Sequence, residues 1–222
     1  MEKKPVRRSA NTFPAPDPAK PYVYPGTEVL INKFGIRNGP ALERVAATLS
    51  MLRADMFRAR PRPGAFDLEH LCAIHEYLFQ DVLPWAGQLR LVDTEKNGSL
   101  FAPAAEIAAR SRAVFALLEK EDFLQGLGRV AFIEKFAYYF AEVSRLRIFR
   151  EGNGLAQRLF FEQLAIGTVF RLDFAKVAKS ALHAAIHAAN NGDLELLMAL
   201  FEQVVSDVGD VWEPGEITCS PV

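Results

Sequence analysis

The sequence predicts an all-α domain that carries one short β-hairpin. Most of the chain places apolar residues at helical spacing, and one segment, residues 89–102, breaks that rhythm with residues that favour strands. The chain shows no internal repeat, so a single core is predicted rather than an array of units. With 222 residues, half of them apolar, it is long enough to bury such a core.

The two ends differ in composition from the rest of the chain. Residues 1–21 contain five prolines and several charges, which predicts a flexible N-terminal arm. Residues 211–222 have a similar composition and predict a flexible tail. Between them no boundary is visible, so residues 22–210 are predicted to form one domain.

The helices are predicted in order from apolar spacing and from start and stop signals. The first runs from Pro40 to Arg60 and ends before a Pro-rich stretch. Asp67 offers an N-cap for a second helix that reaches Leu78. Asn190-Asn191-Gly192 is a helix stop, after which Asp193 can cap the last helix. The remaining helices are predicted over residues 104–120, 128–145, 155–165, 173–190 and 194–208.

The hairpin prediction depends on Asn97-Gly98 near the middle of residues 89–102. Asn-Gly favours the positive φ values of a tight hairpin turn. A two-stranded hairpin is marginally stable alone and leaves backbone groups unpaired at its edges. This segment is therefore predicted to be mobile and able to pair with a visiting strand.

The bulk properties exclude several classes of protein. A net charge of −1 gives no reason to expect nucleic acid or an anionic membrane as the main partner. No apolar run approaches the roughly 20 residues needed to span a bilayer, and the basic N-terminus lacks the apolar stretch of a secretory signal. The two cysteines, Cys72 and Cys219, lack CxxC partners and predict no disulfide framework. The cytoplasm is the expected compartment.

A glycine-bracketed turn lies between two predicted helices, in the segment RIFREGNGLAQR at residues 147–158. Gly152 and Gly154 permit tight turning and close approach of the backbone to a ligand. A helix that begins near Leu155 directs its free N–H groups into the turn. Those groups and the helix dipole together predict an anion site.

Three side chains in the segment fit phosphate chemistry. Arg158 falls one turn into the helix, where its forked cation can reach a bound phosphate. Glu151 can hold Mg²⁺ between its carboxylate and phosphate oxygens. Asn153 can donate a side-chain hydrogen bond into the same space.

This segment resembles the signature of the Fic family, which runs His-Pro-Phe, any residue, Asp or Glu, Gly-Asn-Gly-Arg, two residues, Arg. The resemblance extends to stand-alone bacterial Fic proteins of the toxin type and covers residues 21–208. It is also carried by PYVYPG at 21–26, HLCAIHEYLFQDVLPWAGQLR at 70–90 and RLFFEQLA at 158–165. It implies the helical Fido fold and descent from enzymes that move AMP from ATP to a hydroxyl of a target protein.

The resemblance also implies ligands and site roles. ATP and Mg²⁺ are the implied ligands, and residues 89–102 correspond to the flap that docks the target by strand pairing. The only Glu-Gly of the chain lies in the loop, so the family's inhibitory helix is not recognised and a small antitoxin protein is the implied partner. By position, Phe149 anchors the loop, Glu151 binds the metal, Gly152, Asn153 and Gly154 form the anion hole, and Arg158 contacts the outer phosphates.

The chain departs from the signature at Arg147, Ile148 and Leu155, which stand in place of the family's histidine, proline and first arginine. A guanidinium, with a pKa above about 12, cannot act as a base at neutral pH. General-base catalysis contributes roughly 10²–10⁴-fold, so AMP transfer is predicted to be weak or absent. Leu155 removes one charged hydrogen bond to phosphate, worth roughly 1.5–3 kcal/mol.

Three interpretations of Arg147 remain open from the sequence. Arg147 is a simple inactivating substitution, lying in solvent or paired with Glu142 or Glu151. Alternatively, it adds a cation to the anion hole of a nucleotide-binding pseudoenzyme. The third is an active transferase, the toxin of a toxin–antitoxin pair, that uses another base or substrate-assisted proton loss. None of the four histidines can be assigned as that base by position.

Overall fold

The computed structural model describes residues 21–96 and 99–208. The predicted N-terminal arm apart from Pro21, the predicted tail and the Asn97-Gly98 turn lie outside the described residues. Within them the chain forms seven α-helices and two small antiparallel sheets. The helices are α1 Gly39–Ala59, α2 Leu68–Phe79, α3 Ile107–Lys120, α4 Arg129–Leu146, α5 Asn153–Ile166, α6 Lys179–Asn190 and α7 Glu195–Val204. The strands are β1 Glu95–Lys96, β2 Ser99–Leu100, β3 Phe170–Leu172 and β4 Val205–Asp207.

Each of the first two helices begins at a capping side chain, and the Asp67 cap is the predicted one. The Asn38 side chain accepts a hydrogen bond from the backbone N–H of Ala41 at 2.9 Å. The Asp67 carboxylate accepts one from the N–H of His70 at 2.8 Å. Each cap satisfies a donor that the first helical turn would otherwise leave free.

The largest errors in the predicted helix bounds lie at the start of α6 and at the end of α7. Helix α6 begins at Lys179 rather than Asp173, because Asp173 caps a short 3-10 turn, Phe174–Lys176, which ends at the extended residue Val177. The last helix ends at Val204, and the following residues form β4, which pairs with β3 in the register Arg171↔Ser206. Pairing with a distant strand overrides the helical spacing of these residues.

The hairpin is shorter than the predicted 89–102. Its strands β1 and β2 have two residues each, paired as Glu95↔Leu100 and Lys96↔Ser99. The flanking residues are irregular, and the backbone N–H of Phe101 reaches the oxygen of Thr94 at 3.3 Å. Irregular loop residues, rather than longer strands, therefore connect the hairpin to the helices.

Helix α4 forms the centre of the core. Its aromatic residues Phe132, Phe136, Tyr139 and Phe140 are all buried. The Phe136 ring lies 5.2 Å from the ring of Phe161 in α5 and 4.5 Å from that of Phe201 in α7. Buried aromatic contacts of this kind fix α4 relative to α5, the two helices that the signature segment joins. Across the described ranges, no helix is both long and apolar enough to cross a bilayer.

Candidate active site

The signature segment forms a tight loop between α4 and α5. Arg147 ends α4 in the left-handed conformation, with φ 42° and ψ 61°. Ile148 and Phe149 then enter the core, each with 1% of its surface exposed. Phe149 therefore anchors the loop by packing, while residues 150–152 turn back toward α5.

Asn153 closes this loop with both polar atoms of its side chain. Its Oδ1 accepts a hydrogen bond from the Phe149 N–H at 2.9 Å, and its Nδ2 donates to the Phe149 oxygen at 2.7 Å. The sequence predicted a donor aimed at a ligand, but the structure uses this amide to hold the backbone. A direct contact of Asn153 with phosphate stays a prediction.

His75 supports the loop from helix α2. Its ring stacks on that of Phe149, with centroids 3.8 Å apart and planes 15° apart. The Gly87 N–H donates to Nδ1 at 2.8 Å, so the proton lies on Nε2, which donates to the Glu151 oxygen at 2.9 Å. Burial lowers the pKa of His75 to about 4, so the ring is neutral at physiological pH. His75 is therefore a packed, hydrogen-bonded histidine of the core.

Gly152 has no room for a side chain. Its φ is +80°, and an added Cβ would lie 2.4 Å from Cε2 of Phe79 and 3.0 Å from Nε2 of His75. Both the backbone conformation and the close approach of α2 require glycine here. Gly152 therefore lets the backbone of the signature loop pack directly against α2, just before α5 begins.

The N-terminus of α5 presents N–H groups that have no partner among the described residues. Gly152 provides no side-chain cap, and the first helical hydrogen bond runs from the Ala156 N–H to the Gly152 oxygen at 3.3 Å. The N–H groups of Asn153, Gly154 and Leu155 therefore have no carbonyl partner in the preceding turn of the helix. An anion site at a helix start requires such groups. The Arg158 guanidinium lies over this turn, since a Cβ added to Gly154 would be 3.8 Å from its Nη1. Burial lowers the pKa of Arg158, while the Glu162 carboxylate acts in the opposite sense.

The Glu151 carboxylate is accessible beside this helix start. Its side chain is 55% exposed, and its Oε2 lies 4.0 Å from Nη1 of Arg150. Oε1 accepts a long hydrogen bond of 3.4 Å from the Gly152 N–H. These contacts are weak, so the carboxylate is free to turn toward a cation.

Arg147 contacts an aromatic ring at the base of the hairpin. Its guanidinium carbon lies 5.1 Å from the ring centroid of Phe101, a cation–π distance. No salt bridge joins it to Glu142 or Glu151 in the part of the chain that the structure describes, and Glu142 pairs instead with Arg145. The ion pair considered in the first interpretation of Arg147 is therefore not formed among the described residues. Burial lowers the pKa of Arg147, opposed by the Glu151 charge.

These groups line one open cleft of about 1140 Å³. Helix α1 contributes an apolar wall that includes Leu42, Ala46 and Met51, and α6 contributes another wall. The basic and titratable lining consists of Arg58, Arg147, Arg150, Arg158, Lys179, His183 and His187, with Glu28, Glu43, Asp55 and Glu151 as the acidic groups. The structure thus brings every site residue predicted from the sequence into one cavity.

Two features of this site were not predicted. His183 and His187, which the sequence does not place, line the cleft from α6. Arg90 is buried with 1% exposure, and its side chain donates to the backbone oxygen of Arg147 at 2.8 Å. A single arginine in a segment with strand-like alternation gives no sign that distant carbonyl groups will enclose it.

Comparison with known proteins identifies the lineage of this site. A model described as the Fic/DOC family matches residues 65–165. The "Probable protein adenylyltransferase Fic" of Escherichia coli strain K12 is 40% identical over 190 residues, which cover 86% of this chain and 94% of that protein. The chain belongs to the Fic/DOC family. Its relatives place it in a lineage of protein adenylyltransferases.

Solved Fic domains confirm the predicted all-α Fic fold. BepC of Bartonella tribocorum, with bound AMPPNP, matches with a TM-score of 0.79 at 29% identity, covering 84% of this chain and 96% of that one. The N-terminal Fic domain of a VirB-translocated effector of Bartonella quintana, with bound ADP, gives a TM-score of 0.80 at 30% identity over 84% and 94% of the two chains.

Proposed function

We propose that this Fic protein binds ATP in the cleft but transfers AMP weakly or not at all. The observation that carries the proposal is the position of Arg147. A partly buried guanidinium packed on Phe101 stands where the family signature has its histidine, next to the loop that Asn153 closes. The chain would then be a pseudoenzyme or a regulatory binding protein of adenylyltransferase descent.

Nucleotide binding is supported by the geometry of the helix start. The free N–H groups of α5 and the Arg158 guanidinium converge on one side of the loop. The cleft is large enough for a nucleotide, since ligand pockets measure about 300–1,000 Å³. The bound AMPPNP and ADP of two related structures also support this step.

Glu151 is the residue that would hold Mg²⁺. Magnesium binds through one or two carboxylates together with substrate phosphates, which a single accessible carboxylate beside an anion site fits. The ion would neutralise negative charge on the phosphates. Arg158 and the N–H groups of α5 would orient the same phosphates whether or not transfer follows.

The step of AMP transfer that we propose to be impaired is removal of the proton from the target hydroxyl. Burial lowers the pKa of Arg147 from the ordinary arginine value, but that value lies so far above neutrality that Arg147 stays cationic at neutral pH. His75 cannot replace the missing base, since it is fully buried and both ring nitrogens are bonded to the backbone. Loss of the base alone would lower the rate by roughly 10²–10⁴-fold.

The experiment compares wild type with Arg147→His and with Arg147→His/Ile148→Pro. Calorimetry with ATP and Mg²⁺ measures binding, and labelled ATP in cell lysate measures transfer to protein. We expect all three proteins to bind ATP and only the reverted ones to label a target, with labelling lost on Glu151→Ala. No binding by wild type at millimolar ATP contradicts the nucleotide site, and equal labelling by wild type contradicts the proposed role of Arg147.

An active transferase with another base is the second candidate. It is favoured by His183 and His187, which lie one helical turn apart on α6 and line the cleft. If either accepts the proton, wild type should label a target and the corresponding His→Asn variant should lose this activity. Wild-type labelling that survives both substitutions would leave substrate-assisted proton loss as the remaining route.

Two protein partners are proposed for the same site. Strands β1 and β2 pair only with each other among the described residues, so an outer edge can accept a target segment by strand pairing. A small antitoxin is the second proposed partner, supported by the absence of a Glu-Gly outside the loop itself. Growth arrest on expression of Arg147→His, relieved by co-expression of a candidate antitoxin, would test this pairing.

A further inference from the structure

Arg90 connects the base of the hairpin to the end of α4. Its side chain is fully buried, and its Nε and Nη2 donate to the backbone oxygens of Arg147 at 2.8 Å and Leu146 at 3.2 Å. Its own backbone N–H donates to the Ile148 oxygen at 3.0 Å. One residue thereby binds three successive carbonyl groups where the helix ends and the signature loop begins.

The same guanidinium also holds the two sides of the hairpin base. Its Nη1 donates to the Val92 oxygen at 2.7 Å, and its Nη2 donates to the Ala102 oxygen. The Ala102 N–H in turn donates to the Arg145 oxygen at 3.2 Å. The residues on either side of the hairpin are therefore tied to each other and to α4 through one side chain.

The backbone carbonyl groups around Arg90 provide most of the stabilisation of its buried positive charge. The nearest carboxylate, Asp93, lies 3.8 Å away with 76% of its side chain exposed, so it screens the cation only weakly. A rigid fork with five donors can serve four carbonyl groups at once, whereas a lysine ammonium has three donors on a flexible stem. The site therefore requires arginine rather than any positive charge.

We call the hydrogen bonds of Arg90 to these backbone oxygens the Arg90 clamp. The phosphate side of the loop does not depend on the Arg90 clamp. Asn153 holds Phe149, and His75 holds Glu151, through contacts that do not involve Arg90. Loosening Arg90 should therefore release the hairpin while the anion site keeps its own contacts.

We propose that Arg90 is a positioning residue that fixes the hairpin relative to the signature loop, so that a docked target segment is held at a set distance from the bound phosphates. The inference rests on the proposed function in one respect, the use of the hairpin for target docking. The clamp itself is tested without any transfer reaction.

The first test is hydrogen–deuterium exchange of Arg90→Lys in otherwise wild-type protein. Amides of residues 94–102 should exchange about tenfold faster, as expected for the loss of one or more hydrogen bonds, while Kd for ATP–Mg²⁺ stays within about twofold. Arg110→Lys is the matched control, because Arg110 is an exposed arginine on α3 paired with Glu106. Unchanged hairpin exchange overturns the proposal, as does faster exchange that extends equally through α4 and α5.

A second variant covers the case in which Arg90→Lys fails to fold by circular dichroism. Tyr22→Phe removes the hydroxyl that accepts the Leu91 N–H at 2.8 Å, next to the clamp and without a buried charge. Faster exchange confined to the hairpin then supports positioning at this base, and wild-type exchange overturns it.

The Arg147→His background adds a kinetic measurement. If it labels a target, Arg90→Lys should raise KM for the target by about tenfold and leave kcat and the Kd for ATP nearly unchanged. A fall in kcat at constant KM contradicts the positioning role. If the background shows no transfer, the proposed function fails at that step, and the exchange experiment still decides the role of Arg90.

Discussion

The Nε2 atom of His75 lies 2.9 Å from the backbone oxygen of Glu151, and this contact joins α2 to the signature loop across 76 positions of sequence. The ring holds the backbone of the proposed metal ligand while leaving its carboxylate accessible. An imidazole is suited to this place because it can accept one backbone hydrogen bond and donate another. The proposed phosphate site therefore depends on a histidine that takes no part in proton transfer.

Replacing His75 should destabilise the whole domain. His75→Ala removes two buried hydrogen bonds and a stacked ring, which should lower the free energy of unfolding by about 3 kcal/mol. Urea denaturation measures the change. His187→Ala, at an exposed position of α6, should change stability by less than about 0.5 kcal/mol. Equal effects of the two substitutions would contradict the supporting role of His75.

His75 should also make stability depend on pH. Its pKa in the folded protein is about 4 against an ordinary value of 6.5, so the unfolded chain binds the proton first as the pH falls. Stability should therefore be lost between pH 6.5 and pH 4, by about 3 kcal/mol from this group. His75→Gln should remove that part of the slope, whereas the contribution of His70, whose pKa is also lowered by burial, remains in both proteins. Parallel stability curves would contradict this account.

Gly152 and Gly154 provide a matched pair of substitutions. Gly152→Ala places a methyl group against Phe79 at positive φ and should cost about 3 kcal/mol of stability. Gly154→Ala meets only the end of Arg158 at 3.8 Å and should change stability by less than about 1 kcal/mol. Thermal and urea unfolding of both variants test the difference. Similar losses at the two positions would show that the loop is not held against α2 in solution.

Arg158 should contribute affinity for ATP with little effect on folding. Arg158→Ala removes one charge-assisted contact, so the Kd for ATP–Mg²⁺ should rise about 10- to 100-fold. Arg112→Ala is the control, since Arg112 is 66% exposed on α3, away from the cleft lining. Calorimetry measures both. Unchanged affinity in Arg158→Ala would remove this residue from the phosphate site.

The contact between Arg147 and Phe101 should appear as a coupling energy. A double-mutant cycle with Arg147→Met and Phe101→Leu should give about 0.5–2 kcal/mol of favourable interaction, as for a partly desolvated cation–π pair. Denaturation of the four proteins measures it. A coupling near zero would mean that the guanidinium does not stay on the ring in solution.

The sequence predicts the helices well because their apolar spacing is local. The predicted first helix, Pro40 to Arg60, differs by one residue at each end from the observed α1, and the Asp67 cap is where it was predicted. The start of α6 was misplaced because Asp173 supplies a capping signal that serves a short 3-10 turn instead. A capping residue indicates where a helical turn begins, but it does not determine whether that turn continues into an α-helix.

The missed features are those that depend on distant residues. Strands β3 and β4 have three residues each, and each pairs with a strand far away in the sequence. The burial of Arg90 depends on carbonyl groups more than fifty positions away at the end of α4. In contrast, the residues of segment 147–158 that line the cleft were predicted because the segment carries glycines, charges and a helix start within a few positions.

The aromatic contact between Phe136 and Phe201 has a consequence during synthesis of the chain. Helices α4 and α5 leave the ribosome before α7, so the face of α4 at Phe136 and Phe140 is exposed to solvent until residues 195–204 follow. Strand β3 must also wait for β4 before its hydrogen bonds can form. A nascent chain that already contains the complete signature segment therefore still carries an uncovered aromatic surface. Binding of a chaperone to that surface should be strongest when α4 has left the ribosome and α7 has not.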